Sequence, residues 1–239
     1  MRRPILTIAG VLIASAVLVG IRFSNPAEAG SHGFSVDRGL SGFSRIVRVA
    51  EQTPARTGVA GSPITYFIAD GSGKPGFKRS DLELARWALG AWERTAAGIH
   101  FEPAAESAAL IRIYWAEPTG GQYGETETIT VGGQRGAAVY IRPDVAALGD
   151  DIAQRARIDS LLRESIVYLT CVHELGHALG LAHTSDFRDI MYFFGYGGDI
   201  VLYFDRYRTR IRSRNDIASV SGLSEADMQR VRVIYSSQP

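Results

Sequence analysis

Three histidines and one glutamate, the residues best suited to chemistry, lie in one short stretch: His173, Glu174, His177 and His183. In an α-helix, residues i and i+4 lie on one face a turn apart, so His173 and His177 can bind the same metal ion. Glu174 points about 100° further around the helix, where it is poorly placed as a ligand but can reach a water molecule beside the ion. This spacing predicts a zinc centre with a carboxylate positioned to act as a general base.

His183 can be the third ligand only if the chain reverses direction after His177. On a continued helix it would lie about 9 Å beyond His177 along the axis. Gly180 is the expected turning point, because glycine adopts positive φ without steric cost. Three neutral imidazoles leave a fourth position open for water, which is typical of catalytic rather than structural zinc sites. The stretch therefore predicts one catalytic Zn²⁺.

The residues that follow carry a resemblance to a known family. The spacing His-Glu-x-x-His-x-x-Gly-x-x-His, followed by Asp-Ile-Met-Tyr at 189–192, resembles the metzincin metalloproteases with their methionine turn. Together with the helix start at 223–227, it is most similar to a small, bacterial-type member of the matrixin branch. The resemblance implies that Met191 lies beneath the zinc as an apolar floor and does not bind it. Because Tyr192 directly follows Met191 and Phe193 stands at the next position, no tyrosine ligand is expected.

The resemblance also implies an α+β fold, with a small twisted mixed sheet, three α-helices, and a zinc helix that leads into the methionine turn. The residue pattern agrees with that order of elements. It predicts strands at 64–68 and 110–115, a helix between Ser80 and Gly98, a hairpin of 126–131 and 137–142, a zinc helix over 159–179 and a last helix from Ser224.

The first 29 residues have the pattern of an export signal. Basic Arg2 and Arg3 precede the apolar run 5–21, and Ala-Glu-Ala at 27–29 predicts cleavage after Ala29. We therefore expect a secreted or periplasmic protein. The alternative is a membrane anchor formed by residues 5–21, because about 17 apolar residues is the lower limit for spanning a bilayer.

The rest of the chain is predicted to hold one domain. Residues 30–61 are irregular in composition and predict a linker or a short pro-segment, without the cysteine that holds many matrixins latent. Residues 62–239 are the predicted catalytic domain, expected to be a monomer. The net charge of +1 gives no reason to expect a nucleic-acid partner. The single cysteine, Cys171, excludes an intrachain disulfide and is predicted to be a buried thiol.

By resemblance, an extended protein or peptide substrate lies along an edge strand, which we place at 126–131. The candidate residues are Thr126, Glu127, Thr128, Ile129, Thr130 and Val131. An ordinary hairpin strand without a substrate role remains the alternative. Tyr192 and Phe193 are candidates for the wall of a substrate pocket or, equally, for local core. Calcium is compatible with the resemblance, but no residue pattern supports it.

A run of alternating arginines predicts a further strand. With period two, all of them would lie on one face of that strand. They are Arg206, Arg208, Arg210, Arg212 and Arg214. A solvated face is the plain interpretation, and an exosite for an anionic partner is the alternative.

Three functions are consistent with these residues. The first is a secreted or periplasmic zinc endopeptidase, in which Glu174 is the base for the attacking water. The second is a zinc amidase that acts on a non-protein, cell-wall substrate. The third is a zinc-containing binding protein that uses the arginine face at 206–214.

Overall fold

The computed structural model describes residues 57–58, 61–95, 97–117 and 123–236. The predicted signal or anchor at 1–29 and most of the predicted linker at 30–61 lie outside these residues. Within the described ranges, no helix has the length and apolar character needed to cross a membrane.

A mixed five-stranded sheet forms one layer of the fold. Its strands are β1 (Ile64–Ile68), β2 (Phe101–Pro103), β3 (Ile111–Trp115), β4 (Gly124–Val131) and β5 (Gln134–Ile141). The spatial order is β2-β1-β3-β5-β4, and only the β4–β5 pair is antiparallel. The predicted hairpin is confirmed, since Val131 pairs with Gln134 across the two glycines. Its first strand, β4, lies at the edge of the sheet.

The described chain holds five α-helices rather than the three expected. They are α1 (Asp81–Glu93), α2 (Asp150–Ile158), α3 (Ser160–Ala178), α4 (Ile200–Arg208) and α5 (Glu225–Ser236). The additional helices are α2 and α4. In α2, Ile152, Ala153 and Ala156 are buried at helical spacing, a short pattern that is easily missed. The α+β class is as expected.

The zinc helix α3 lies at the centre of the domain. Most of its residues are buried, as expected for a helix covered on nearly all sides. It packs on α1, where the Trp92 indole donates to the Val172 carbonyl at 3.0 Å and Arg163 forms a buried ion pair with Asp81. Cys171 is fully buried, and burial raises the pKa of its thiol, so the predicted packing role is confirmed.

The packed domain includes residues before position 62. Thr57 is 1% exposed, and its hydroxyl donates to the Ala178 carbonyl at the end of α3, at 2.6 Å. Gly58 packs beside Ile64 and Leu110. Both residues fall in the predicted linker, yet Thr57 contacts the end of the zinc helix and Gly58 lies against the sheet layer.

The predicted arginine strand is wrong. Residues 200–208 form α4, and the following residues form a turn and a short 3₁₀ helix, Arg214–Ala218. Arg208 bonds Asp159 at 2.7 Å, whereas Arg214 bonds Glu83 at 2.7 Å, so these two arginines turn to different partners. The shared arginine face that the binding-protein hypothesis requires does not exist.

Candidate metal centre and active site

Local chain geometry brings the three histidines together. Asp159 caps the start of α3 by accepting from the Leu161 and Leu162 amides, at 3.0 and 3.1 Å. The helix ends at Ala178, and Gly180 takes φ 95°, a conformation that favours glycine. The chain then turns back toward the metal ligands.

The three imidazoles fit a zinc ion. One ring nitrogen from each of His173, His177 and His183 lies within 4.8 Å of the others. The Nε2 atoms of His177 and His183 are 3.1 Å apart. Two ligands at tetrahedral angles on zinc would be separated by about 3.3 Å, so this pair of nitrogen atoms already has nearly the spacing that the ion requires.

Backbone carbonyls orient two of the three rings. The Nδ1 of His173 is 2.6 Å from the Ile190 carbonyl, and the Nδ1 of His177 is 2.9 Å from the Leu181 carbonyl. A neutral ring that donates from Nδ1 presents the lone pair of Nε2 to a metal, the usual arrangement around zinc.

Burial also keeps the imidazoles neutral. It lowers the pKa of His173 and of His177, and it lowers the pKa of His183 to about 4, with the neighbouring His177 acting in the same direction. All three rings are therefore available as ligands at neutral pH.

Met191 lies beneath the zinc helix. It is fully buried, and a Cβ at Gly176, the residue before His177, would overlap its sulfur atom. The helix can therefore rest on Met191 only because position 176 is glycine. The turn is also tied to the residue after the third ligand, as the Thr184 amide donates to the Met191 carbonyl at 2.8 Å. Met191 therefore packs against the zinc helix beside a ligand position, and its role as the apolar floor beneath the zinc stays a prediction.

The C-terminal helix α5 holds this turn from below. Buried Asp227 accepts from the Ile190 amide at 2.8 Å and exchanges two hydrogen bonds with Ser224 at the helix start. Arg230 donates to Asp227 at 2.6 Å and to buried Asp189 at 2.9 Å. The turn that carries Ile190, the carbonyl partner of His173, is therefore fixed by charged groups of α5.

Glu174 lies between the zinc helix and the edge strand β4. The Thr126 hydroxyl lies 2.7 Å from its Oε2 and 3.0 Å from its main-chain carbonyl. A Cβ at Gly124 would be 2.5 Å from its Cγ. Burial raises the pKa of Glu174 to about 7, while the bond from Thr126 and the charge of Arg142 act in the opposite direction.

The predicted substrate residues fall into different settings. Of the six on β4, Thr126 alone has a described hydrogen bond to Glu174. Thr128 accepts instead from Arg135, within the hairpin. The main chain of β4 keeps the edge position that substrate pairing requires, but a role in substrate binding stays a prediction for all six residues.

The two aromatic candidates have separate roles. Phe193 packs on the ring of His183, with centroids 4.9 Å apart, and remains partly exposed. Tyr192 is buried against Phe187, and its hydroxyl donates to the Gly197 carbonyl at 2.6 Å. Phe193 therefore stays a candidate for a pocket wall, whereas Tyr192 is a core residue.

Two residues at the site were not predicted from the sequence. Gly124 lies at the start of a strand, where a glycine often marks a place at which another group approaches the backbone closely. The sequence therefore contained a signal for this residue. Tyr203 of α4 contacts the methionine turn, and its spacing alone gave no sign of this.

Comparison with known proteins identifies the family. No curated protein sequence matches the chain. A structure of myroilysin is 16% identical and covers 77% of this chain and 97% of its own, with a TM-score of 0.39. High choriolytic enzyme 1, a hatching enzyme zinc-protease from the medaka fish Oryzias latipes, is 15% identical over 73% of this chain and 90% of its own, with a TM-score of 0.37. These two likenesses are too low to carry an argument.

The matrixin family model gives the stronger match. It covers residues 60–199, more than half of the chain, and runs from before β1 to beyond the methionine turn. The matched part includes all three histidines that are placed to bind a metal ion. The chain therefore belongs to the matrixin family of metzincin zinc endopeptidases and has a site for one catalytic zinc ion.

Proposed function

We propose that this matrixin is an exported endopeptidase that hydrolyses protein substrates lying along β4, with Glu174 as the general base. The observation that carries this proposal is the position of Glu174. It is buried one residue from a metal ligand and hydrogen-bonded to the strand along which the substrate would lie.

The metal ion and the carboxylate of Glu174 have different roles in the proposed reaction. A zinc ion held by three imidazoles supplies a Lewis acid and lowers the pKa of a water molecule. Glu174 accepts a proton from the attacking water and returns it to the leaving amine. Burial raises the pKa of Glu174, which favours its holding the proton on the way to the leaving amine, and a cation beside it favours the ionised form that accepts the proton.

Thr126 gives Glu174 a defined orientation. Its hydroxyl donates to Oε2 at 2.7 Å, which leaves Oε1 for the water molecule. A buried carboxylate with one oxygen already bonded has few alternative orientations. Thr126 thus supports the base through its side chain, while its main chain belongs to the substrate edge.

The edge strand β4 supports an extended protein substrate. One side of β4 pairs with β5, and the other side lies at the end of the sheet order. An added peptide strand would form main-chain hydrogen bonds there, which fix its register without depending on its side chains. Phe193, beside His183, then offers an apolar contact for a substrate side chain next to the reacting bond.

Residues 1–29 support export by their basic, apolar and small-residue segments. Cleavage after Ala29 would release a protein beginning at Gly30. Sequencing the N-terminus of the protein recovered from outside the producing cell tests this. A chain that stays with the membrane and begins at Met1 would favour the anchor formed by residues 5–21.

The activity is tested with the zinc-loaded full chain, its Glu174→Ala variant and a proteome-derived peptide library read by mass spectrometry. Internal cleavages produced only by the wild-type protein are expected, and their flanking residues report the pocket preference. Purified cell-wall material is treated in parallel. Hydrolysis of its amides without any cleavage of peptides would contradict the proposal and favour the amidase.

A further inference from the structure

We propose that Tyr203, on helix α4, is a positioning residue of the metal centre. Its hydroxyl fixes the backbone carbonyl that orients the ligand His173. The inference rests on the zinc site and not on the proposed substrate. It concerns a helix that begins after residue 199, where the family match ends.

A chain of hydrogen bonds connects Tyr203 to the ligand. The phenol oxygen lies 3.2 Å from the carbonyl oxygens of both Asp189 and Ile190, and its single hydrogen is shared between them in a bifurcated hydrogen bond. The same Ile190 carbonyl is 2.6 Å from the Nδ1 of His173. A carbonyl oxygen has two lone pairs and can accept from both donors. The hydroxyl of Tyr203 is therefore one carbonyl away from a metal ligand.

The position of the hydroxyl is fixed by its surroundings. Tyr203 is 3% exposed, and its ring packs edge-on against Phe187, Phe194 and Phe204, with centroids 5.0–5.6 Å apart. The guanidinium of Arg206 covers the ring at 4.8 Å. An aromatic side chain held on this many sides keeps one rotamer, so its hydroxyl acts as a fixed donor.

Helix α4 is itself anchored to the start of the zinc helix. Arg208 bonds Asp159, the capping residue of α3, at 2.7 Å. Asp205 bonds Arg155 of α2 at 2.6 Å. Tyr203 of the same helix contacts the turn that follows the third histidine. Helix α4 therefore contacts both the start of α3 and the segment that carries the carbonyl partner of His173, and it holds these two parts of the metal centre together.

The competing explanation is that Tyr203 only fills the core and satisfies its own hydroxyl. Tyr207, one turn further along α4, provides the matched control. It is 2% exposed and donates to the Val220 carbonyl at 2.8 Å. That carbonyl also lies near Tyr168, and no described hydrogen bond joins it to a histidine. Both phenols are thus buried donors to backbone, but only that of Tyr203 leads to the metal.

The test compares zinc binding by the full chain, Tyr203→Phe and Tyr207→Phe, using competition with a chelator. Loss of a direct outer partner of a ligand costs about 10–100-fold in affinity, so the more remote Tyr203→Phe is expected to bind zinc about 3–10-fold more weakly. Tyr207→Phe is expected to bind zinc like the wild type. The free energy of unfolding of the zinc-free proteins is measured in parallel, and it is expected to fall by similar amounts in the two variants.

Two further measurements separate ligand orientation from packing. In the Co²⁺-loaded proteins, the visible absorption bands are expected to shift for Tyr203→Phe and not for Tyr207→Phe. Replacement of Tyr203 by p-aminophenylalanine keeps the ring and a donor, and it is expected to restore zinc affinity. This variant decides the question if Tyr203→Phe fails to fold.

Equal zinc affinity and equal cobalt spectra in Tyr203→Phe and Tyr207→Phe would overturn the inference. Weak zinc binding by a folded p-aminophenylalanine protein would do the same. Neither result depends on peptide cleavage, so a failure here is distinguishable from a failure of the proposed peptidase activity.

Discussion

Replacing Gly124 with alanine tests how closely the edge strand controls the general base. The added Cβ would lie 2.5 Å from the Cγ, 2.7 Å from the Oε1 and 2.8 Å from the Cδ of Glu174. Ordinary contacts between carbon atoms are about 3.5–4.0 Å, so the glutamate must move by about 1 Å. Because the overlap involves only its flexible side chain, we expect the carboxylate to move rather than the zinc helix.

A displacement of that size has a known consequence for catalysis. Misplacing a catalytic group by about 1 Å can reduce the rate by about 100-fold, equivalent to about 2.7 kcal/mol in activation free energy. Zinc binding should be unchanged, since the three atoms nearest to the added Cβ all belong to Glu174 and not to a ligand. We expect about 1–3 kcal/mol of destabilisation, as is usual when a packed site is overfilled.

The assay is steady-state cleavage of a peptide taken from the library, with bound zinc measured on the same samples. Gly90→Ala is the matched control. It adds the same methyl group in the interior of α1, 3.3 Å from the flexible end of Arg94. It should leave kcat/KM unchanged and raise stability by about 0.5–1 kcal/mol. A zinc-loaded Gly124→Ala protein that retains more than half of the wild-type kcat/KM would show that the edge strand does not control the position of Glu174.

Three further predictions follow from the same contacts. Thr126→Val removes the donor to Glu174 and should lower kcat by about 10-fold. Thr126→Ser keeps the donor and should retain most of the wild-type kcat. Equal kcat values in the two variants would show that this hydrogen bond does not contribute to catalysis. Asp227→Ala leaves the Ile190 and Ser224 amides without their acceptor, while Arg230 keeps Asp189, so denaturant unfolding should show a loss of about 2–3 kcal/mol in the free energy of unfolding. A loss below about 1 kcal/mol would contradict the role of α5 in holding the turn. Phenanthroline should abolish cleavage and added zinc should restore it; cleavage that resists the chelator would exclude the metal mechanism.

The metal ligands could be predicted from the sequence because their geometry is local. His173 and His177 are related by one helical turn, and Gly180 marks the reversal that recovers His183. The hairpin was also predictable, since two glycines separate β4 from β5, whereas the edge position of β4 was implied by the family resemblance. Each of these relations spans about ten residues or fewer.

The contacts around Glu174 could not be predicted in this way. Thr126 and Glu174 are 48 positions apart in the chain, and nothing in either segment specifies their pairing. The sequence suggested that the main chain of this strand would contact the substrate, but it gave no sign that the Thr126 side chain would contact the base. Long-range pairing depends on how the sheet packs on the zinc helix, which local patterns do not determine.

The error at α4 came from following the wrong pattern. Alternating arginines suggested period two, but the apolar residues Tyr203, Tyr207 and Ile211 recur every four positions and are all buried. Burial of the apolar stripe determines the secondary structure, and the arginines then bond whichever partners lie nearby. An apolar period deserves more weight than a charged one when the two disagree.

The most direct test of Glu174 as the general base is the turnover of Glu174→Ala at full zinc occupancy. With one zinc bound per chain in both proteins, we expect kcat/KM for peptide cleavage to fall by about 10²–10⁴-fold in the variant, the usual contribution of a general base. A variant that carries its zinc and cleaves at the wild-type rate would show that another group is the base.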